Sequence, residues 1–131
     1  MQHRNLLSLA AILGMLAVIF GAFGAHALKA SLDPVSLGNW ETATRYQFYH
    51  VFGMIVAVLL AERSGDKYGL RAAWWFLAGI VLFCGSLYLL SLRSLFSVNL
   101  NWLGPITPLG GLCFISGWVW IFIVVRRSLK K

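Results

Sequence analysis

Apolar residues run along this chain in four long blocks, at about residues 5–27, 46–61, 70–92 and 106–125, and charged residues gather in the gaps between them. A bilayer core is crossed by about 20 apolar residues of helix, so each block predicts a membrane span. The expected fold class is therefore all-α. It is a polytopic membrane protein with four transmembrane helices in a compact antiparallel bundle. A single domain, 1–131, holds spans at about 5–27, 40–62, 70–92 and 105–125.

The gaps differ in character. Residues 62–71 are short, polar and charged, and Ser64-Gly65-Asp66 is a turn signal, which predicts a tight hairpin between spans two and three. Residues 29–45 contain Asp33-Pro34, read as a helix break, with a new helix expected near Gly38 and Asn39. Glu41 and Arg45 stand four apart and can pair on one helix face. Trp40 and Tyr46 read as interfacial anchors. Residues 94–102 alternate apolar and polar, which suits a segment lying in the interface. Span four opens on Gly104-Pro105-Ile106-Thr107-Pro108-Leu109-Gly110-Gly111. Two readings of that string stay open: a helix start with a close-packed first turn, or a broken helix end lining a small cavity.

Composition sharpens the picture. At 131 residues, 60% hydrophobic, 11% charged and a mean hydropathy of +0.78, a water-soluble fold is excluded. The net charge of +7 does not indicate nucleic acid, because the basic residues flank apolar blocks, where they meet anionic headgroups of the lipid bilayer. With four spans, eight of the Lys and Arg residues share a side: Arg4, Arg63, Lys67, Arg71, Arg126, Arg127, Lys130 and Lys131. Three, Lys29, Arg45 and Arg93, lie opposite, so both termini are expected in the cytoplasm. Ala25-His26-Ala27 has the form of a signal-peptidase site, but the apolar block before it is longer than a signal core, and the first span is expected to be retained. Cys84 and Cys113 sit within apolar blocks as small hydrophobes, with a disulfide between them left open and no zinc spacing.

Small residues mark the packing faces. Ala10, Gly14, Ala17, Gly21 and Gly24 form a seam along span one. Span two has Ala43, Gly53 and Ala57 on similar spacing with Tyr46 and His50, and span three has Ala72, Gly79 and Ser86. Lipid supplies no hydrophobic drive for helices to associate, so such seams let backbones approach and gain dispersion energy. They could equally serve a homo-oligomer.

Polar side chains within the spans concentrate in the outer half. His26, Tyr46, Gln47, Tyr49, His50, Ser86, Tyr88, Gly104, Pro105, Thr107 and Pro108 make up a candidate pocket. His26 and His50 could in principle ligate a b-type haem, but helical rise sets them about 13 Å apart in depth, which argues against a shared iron. No intramembrane carboxylate partners His50, and no catalytic triad or metal spacing is present. No metal site and no catalytic residue is assigned.

Specific strings then become informative. Gly21-Ala22-Phe23-Gly24-Ala25-His26-Ala27-Leu28 comes first, followed by Trp40-Glu41-Thr42-Ala43 with Tyr46-Gln47 and His50. Gly85-Ser86-Leu87-Tyr88 and the 104–111 string with Gly117-Trp118 complete the series. In this order and spacing they resemble the YgdD-like family of small bacterial inner-membrane proteins, over nearly the whole chain. The resemblance implies a four-span protein of a domain-of-unknown-function family and brings no reaction with it. Cys84 departs from the Ser usual there, which puts an essential hydroxyl at that position in doubt. The functional expectation is a non-enzymatic accessory or small-ligand or lipid-binding protein with a polar pocket in the outer leaflet half. A small homo-oligomeric transporter or channel component, or a membrane protein partner, is the alternative. A membrane enzyme acting on lipid or quinone stands third.

Overall fold

The computed structural model describes residues 2–65, 67–96 and 99–128, the Asn101 side chain excepted. Among the described residues every regular element is helical. Helix α1 (Gln2–Phe23) runs into one π-helical turn, Gly24–Leu28. Helix α2 spans Pro34–Ser64. Helix α3 (Lys67–Gly79) continues through a second π turn, Ile80–Cys84, into α4 (Gly85–Phe96), and the three form one rod. A 3-10 turn, Asn101–Leu103, precedes α5 (Ile106–Ser128).

The start of α2 corrects the expectation of a break at Asp33-Pro34 and a fresh start near Gly38. Asp33 is extended (φ −66°, ψ 160°), and its carboxylate accepts from the backbone N–H of Val35 at 3.0 Å and of Ser36 at 3.1 Å. The Ser36 hydroxyl adds a third bond at 2.6 Å. Pro34 then occupies the first helical position, where a missing N–H costs nothing. The dipeptide is a helix start, and α2 runs straight through Gly38. At its other end Gly65 adopts φ 66°, the left-handed cap that glycine takes without steric cost. The chain turns there into α3, where Gly69 lies directly on Ala57 and Ala61 of α2.

Helix α2 is the centre of the arrangement. It packs against α1 on one side and against α3, α4 and α5 on the other. The α1 interface uses small residues. Ala10 and Ala17 are buried, and a Cβ added at Gly14 or Gly21 would sit 3.4 Å from Val51 or 3.3 Å from Thr44. At Gly24 it would fall 2.6 Å from the Trp40 indole. In the main core the fully buried Phe76 ring of α3 is wedged between Gly53 of α2 and Gly117 of α5, while Gly79 lies against Phe114. Ring–glycine contacts of this kind give the dispersion energy that holds helices together in lipid.

Three helices are long and apolar enough to cross a membrane: Gln2–Leu28, Lys67–Phe96 and Ile106–Ser128. Helix α2 falls outside that set. Trp40 and Gln47 turn inward to partners on α1, so lower apolar content and a central place go together. The outward surface is the reverse of a soluble protein's, with Met15, Val18, Val81, Leu112, Ile115 and Phe122 all more than half exposed. An outside of that kind matches hydrocarbon.

The segments on either side of the 3-10 turn bear on two further readings. Within the 94–102 alternation, Ser94, Leu95 and Phe96 finish α4 and Asn101–Leu103 is a 3-10 turn, while Ser97 and Val98 lie outside the described residues. Helix α5 is unbroken from Ile106, with Pro108 in its first turn. The 104–111 string is thus a helix start with a close-packed first turn.

Candidate functional site

Trp40, Thr44 and Gln47 stand at helical spacing on the α2 face that looks toward α1 and α4, and they form one bonded unit. The Trp40 indole N–H donates to the Phe20 carbonyl of α1 at 2.8 Å. The Thr44 hydroxyl donates to the Trp40 carbonyl at 3.0 Å. The Gln47 amide donates to the Leu13 carbonyl of α1 at 2.7 Å, and its oxygen accepts the Tyr88 hydroxyl of α4 at 2.9 Å. The Tyr88 oxygen also stands 3.3 Å from Thr44 Oγ1. Around this chain the rings interlock: Tyr88 meets Trp40 at 4.6 Å and Phe20 at 5.0 Å, both edge to face. Trp40 is 4% exposed, so it is an interior tie between helices and not the interfacial anchor expected.

A second group joins α4 to α5. The Ser86 hydroxyl donates to the Phe83 carbonyl within the π turn at 2.9 Å. With that proton spent, Thr107 is the donor in the 2.7 Å contact between the two hydroxyls. The backbone of Phe83 also receives Gly110, where a Cβ would collide with it. A third group is local to α2. His50 is buried, stacks on Phe114 at 3.5 Å and 9°, and holds the Tyr46 carbonyl 2.7 Å from Nδ1. A carbonyl only accepts, so Nδ1 carries the proton and Nε2 is left as an acceptor. Tyr46, 39% exposed, stacks on Phe83 at 4.9 Å.

Among the described residues no buried side-chain nitrogen or oxygen lacks a hydrogen-bond partner. The buried polar side chains are therefore paired within the protein, some across helices and some within one. A different feature has unspent groups. An open groove of about 410 Å³ lies where α1 meets α2, near their connection, lined by Gly21, Trp40, Glu41, Thr44, Arg45, Phe48 and Tyr49. Among the described residues no ion pair joins Glu41 to Arg45, which corrects the pairing expected from their spacing, and neither has another partner. Both are exposed.

The candidate set of the sequence thus separates. Gln47 and Tyr88 belong to the first bonded group, Ser86 and Thr107 to the second, and Tyr46 and His50 to the third. Gly104 and Pro105 form the exposed turn before α5, and Pro108 is exposed in its first turn. His26 is exposed in the π turn that follows α1. Because Gly14 faces Val51, His50 is level with about residue 15 of α1, roughly 16 Å below His26 by helical rise. The pair cannot ligate one iron in this arrangement. The described residues contain no cluster of three or more His, Cys, Asp or Glu suited to a metal, and both cysteines are free.

Of the candidate residues, only Tyr49 lines the groove. Its remaining lining went unrecognised as a site. Glu41 and Arg45 read as an ion pair, Gly21 as packing, and Trp40 as an anchor. The available signal was the order of residue types down α2: acid, base, then Phe48 and Tyr49, one helical turn at a time.

The same stretch of chain is what related proteins share. A family profile described as "Protein of unknown function (DUF423)" matches residues 20–111, from Phe20 to Gly111 in the first turns of α5. The membrane protein YwdK of Bacillus subtilis is 43% identical over 122 residues, covering 92% of this chain and 95% of its own. A membrane protein of Staphylococcus epidermidis is 42% identical, covering 93% of each. The inner membrane protein YgdD of Escherichia coli is 32% identical over 131 residues, covering all of this chain and 96% of its own. No solved structure matches. An all-helical rod assembly with a lipid-matched exterior, alike along its full length to proteins named for the membrane, has one placement: this chain belongs to the DUF423 (UPF0382) family of membrane proteins.

Proposed function

We propose that this protein is a non-enzymatic, lipid-binding accessory protein of the inner membrane, and that its ligand site is the groove between α1 and α2. One observation carries the reading. Every described buried side-chain nitrogen and oxygen is satisfied within the protein, whereas the groove presents an acid and a base with no partner. Unpaired charge near hydrocarbon is costly and calls for a complementary group. An open, membrane-facing groove with an aromatic and glycine lining admits an amphiphile from the side.

In this reading all four rods cross the bilayer and both termini face the cytoplasm. The polar content of α2 is compatible with crossing because Trp40, Thr44 and Gln47 are bonded to α1 or α4 and His50 to its own helix, which leaves Glu41 and Arg45 for the groove. The groove then belongs to the outer leaflet half.

The test is photolabelling in nanodiscs with a phospholipid carrying a photoreactive acyl chain. Label concentrated on the α2 peptide from Trp40 to Tyr49 and on the Gly21 segment is the expected result. Even labelling across the lipid-facing surface, at Met15, Phe52 and Phe122 alike, would overturn the groove as a site.

A further inference from the structure

The groove has a polarity sequence. Counted from the start of α2, Glu41 comes first, Arg45 one turn later, then Phe48 and Tyr49. From the membrane surface inward, a phospholipid with an amino headgroup presents ammonium, phosphate and acyl chain in that same order. The geometry points to an aminophospholipid as the occupant, with its primary ammonium on Glu41, its phosphate on Arg45 and an acyl chain along Phe48 and Tyr49 over Gly21. This inference rests on the lipid-binding reading above and gives it a ligand.

Three points carry it. Four residues of helix separate Glu41 from Arg45, about 6 Å of rise, comparable to the span of a phosphate and an ammonium held apart by two carbons. Thr44 faces Gly21, seven residues before Leu28, so Arg45 lies about 10 Å below the end of the π turn that follows α1, by helical rise. A guanidinium at that depth is matched by an oxyanion that also sits at the headgroup boundary, and phosphate is bound bidentately. Finally, the rings of the lining are already engaged. Trp40 is held by Phe20 and Tyr88, Phe48 is against Phe52, and Tyr49 is against Tyr46. An aromatic cage for a quaternary ammonium is not assembled, whereas a carboxylate accepts the N–H groups of a primary ammonium directly.

Native mass spectrometry of the detergent-solubilised full chain, titrated with phosphatidylethanolamine, phosphatidylcholine or phosphatidylglycerol, tests this. Phosphatidylethanolamine should be retained about tenfold better than either of the others. Glu41→Gln should erase that preference. Arg45→Gln should weaken all three. Both side chains are exposed, so circular dichroism should show the fold of each variant intact. Equal or better retention of phosphatidylglycerol or phosphatidylcholine, or a preference that survives Glu41→Gln, overturns the aminophospholipid. If label still concentrates in the groove, lipid binding stands without it. If no lipid is retained and the groove is not labelled, both readings fall.

Discussion

Gln47 has the most consequential side chain in the described structure because its two ends hold different helices. Replacing it with Ala removes the bonds to Leu13 and Tyr88 and opens a void between α1 and α4. Interhelical hydrogen bonds in membranes are worth about 0.6–1.7 kcal/mol each, so with the void the loss should be about 2–3 kcal/mol. Tyr88→Phe keeps the interlocked rings and loses only the hydroxyl, and should cost about 1 kcal/mol. Unfolding in a detergent titration measures both, and equal effects would contradict the bridging role. At the water-exposed start of α2 the controlling quantity is charge. The Ser36 hydroxyl, with the Ser36 and Val35 amides, holds the Asp33 carboxyl below its ordinary value. A depressed carboxylate contributes stability above its unfolded pKa and loses it as pH falls through the lower folded one, here below about pH 4. Asp33→Asn keeps a capping oxygen without the titration. Its stability should therefore lack the acid-dependent component of the parent, as read by thermal unfolding between pH 6 and pH 2.

At the level of elements, the third rod is the one whose course was hidden. Two glycines, Gly79 and Gly85, flank its π turn, but hydropathy sees only an uninterrupted apolar block. The turn is visible only through its partners. Ser86 bonds the Phe83 carbonyl, and Gly110 of α5 lies against the Phe83 backbone. Gly110→Ala should cost about 2 kcal/mol or more, since the obstructing atoms are backbone and cannot rotate away. Gly111→Ala is the control. Its Cβ would meet only Phe83 Cδ2 at 3.9 Å, so stability should stay the same or rise slightly. Detergent unfolding of the pair separates a close-packed π turn from a general need for glycine there.

What could be read beforehand divides along the same line. The four helical rods, the Gly65 turn and the lipid-facing character follow from patterns local to the sequence. The course of α2 was misjudged because Asp33-Pro34 breaks a helix or starts one according to where the chain comes from. The bonded groups were not separable because Gln47, His50 and Ser86 are equally polar in sequence. Only the facing helix decides whether each is spent.

For the whole molecule, the number of crossings decides where the termini lie. Three helices meet the apolar length of a span, and a three-crossing chain would put its termini on opposite sides. Four crossings put them together. A reporter fused after Lys131 should read cytoplasmic, as should one placed at Gly65, whereas one placed at Ser31 should read periplasmic. A periplasmic readout after Lys131 would remove α2 from the bilayer and take the groove with it.

The central position of α2 has a consequence for biogenesis. A helix carrying Trp40, Glu41, Thr44, Arg45, Gln47 and His50 partitions poorly into lipid when released alone. When it emerges, α1 has already been made, and the carbonyls of Phe20 and Leu13 stand ready for the Trp40 and Gln47 donors. The chain's own first helix thus acts as the solvent for its second. The two would leave the insertion machinery as a hairpin, and damage to the α1 seam would surface first as failed insertion of α2, before any mature protein exists to be unstable.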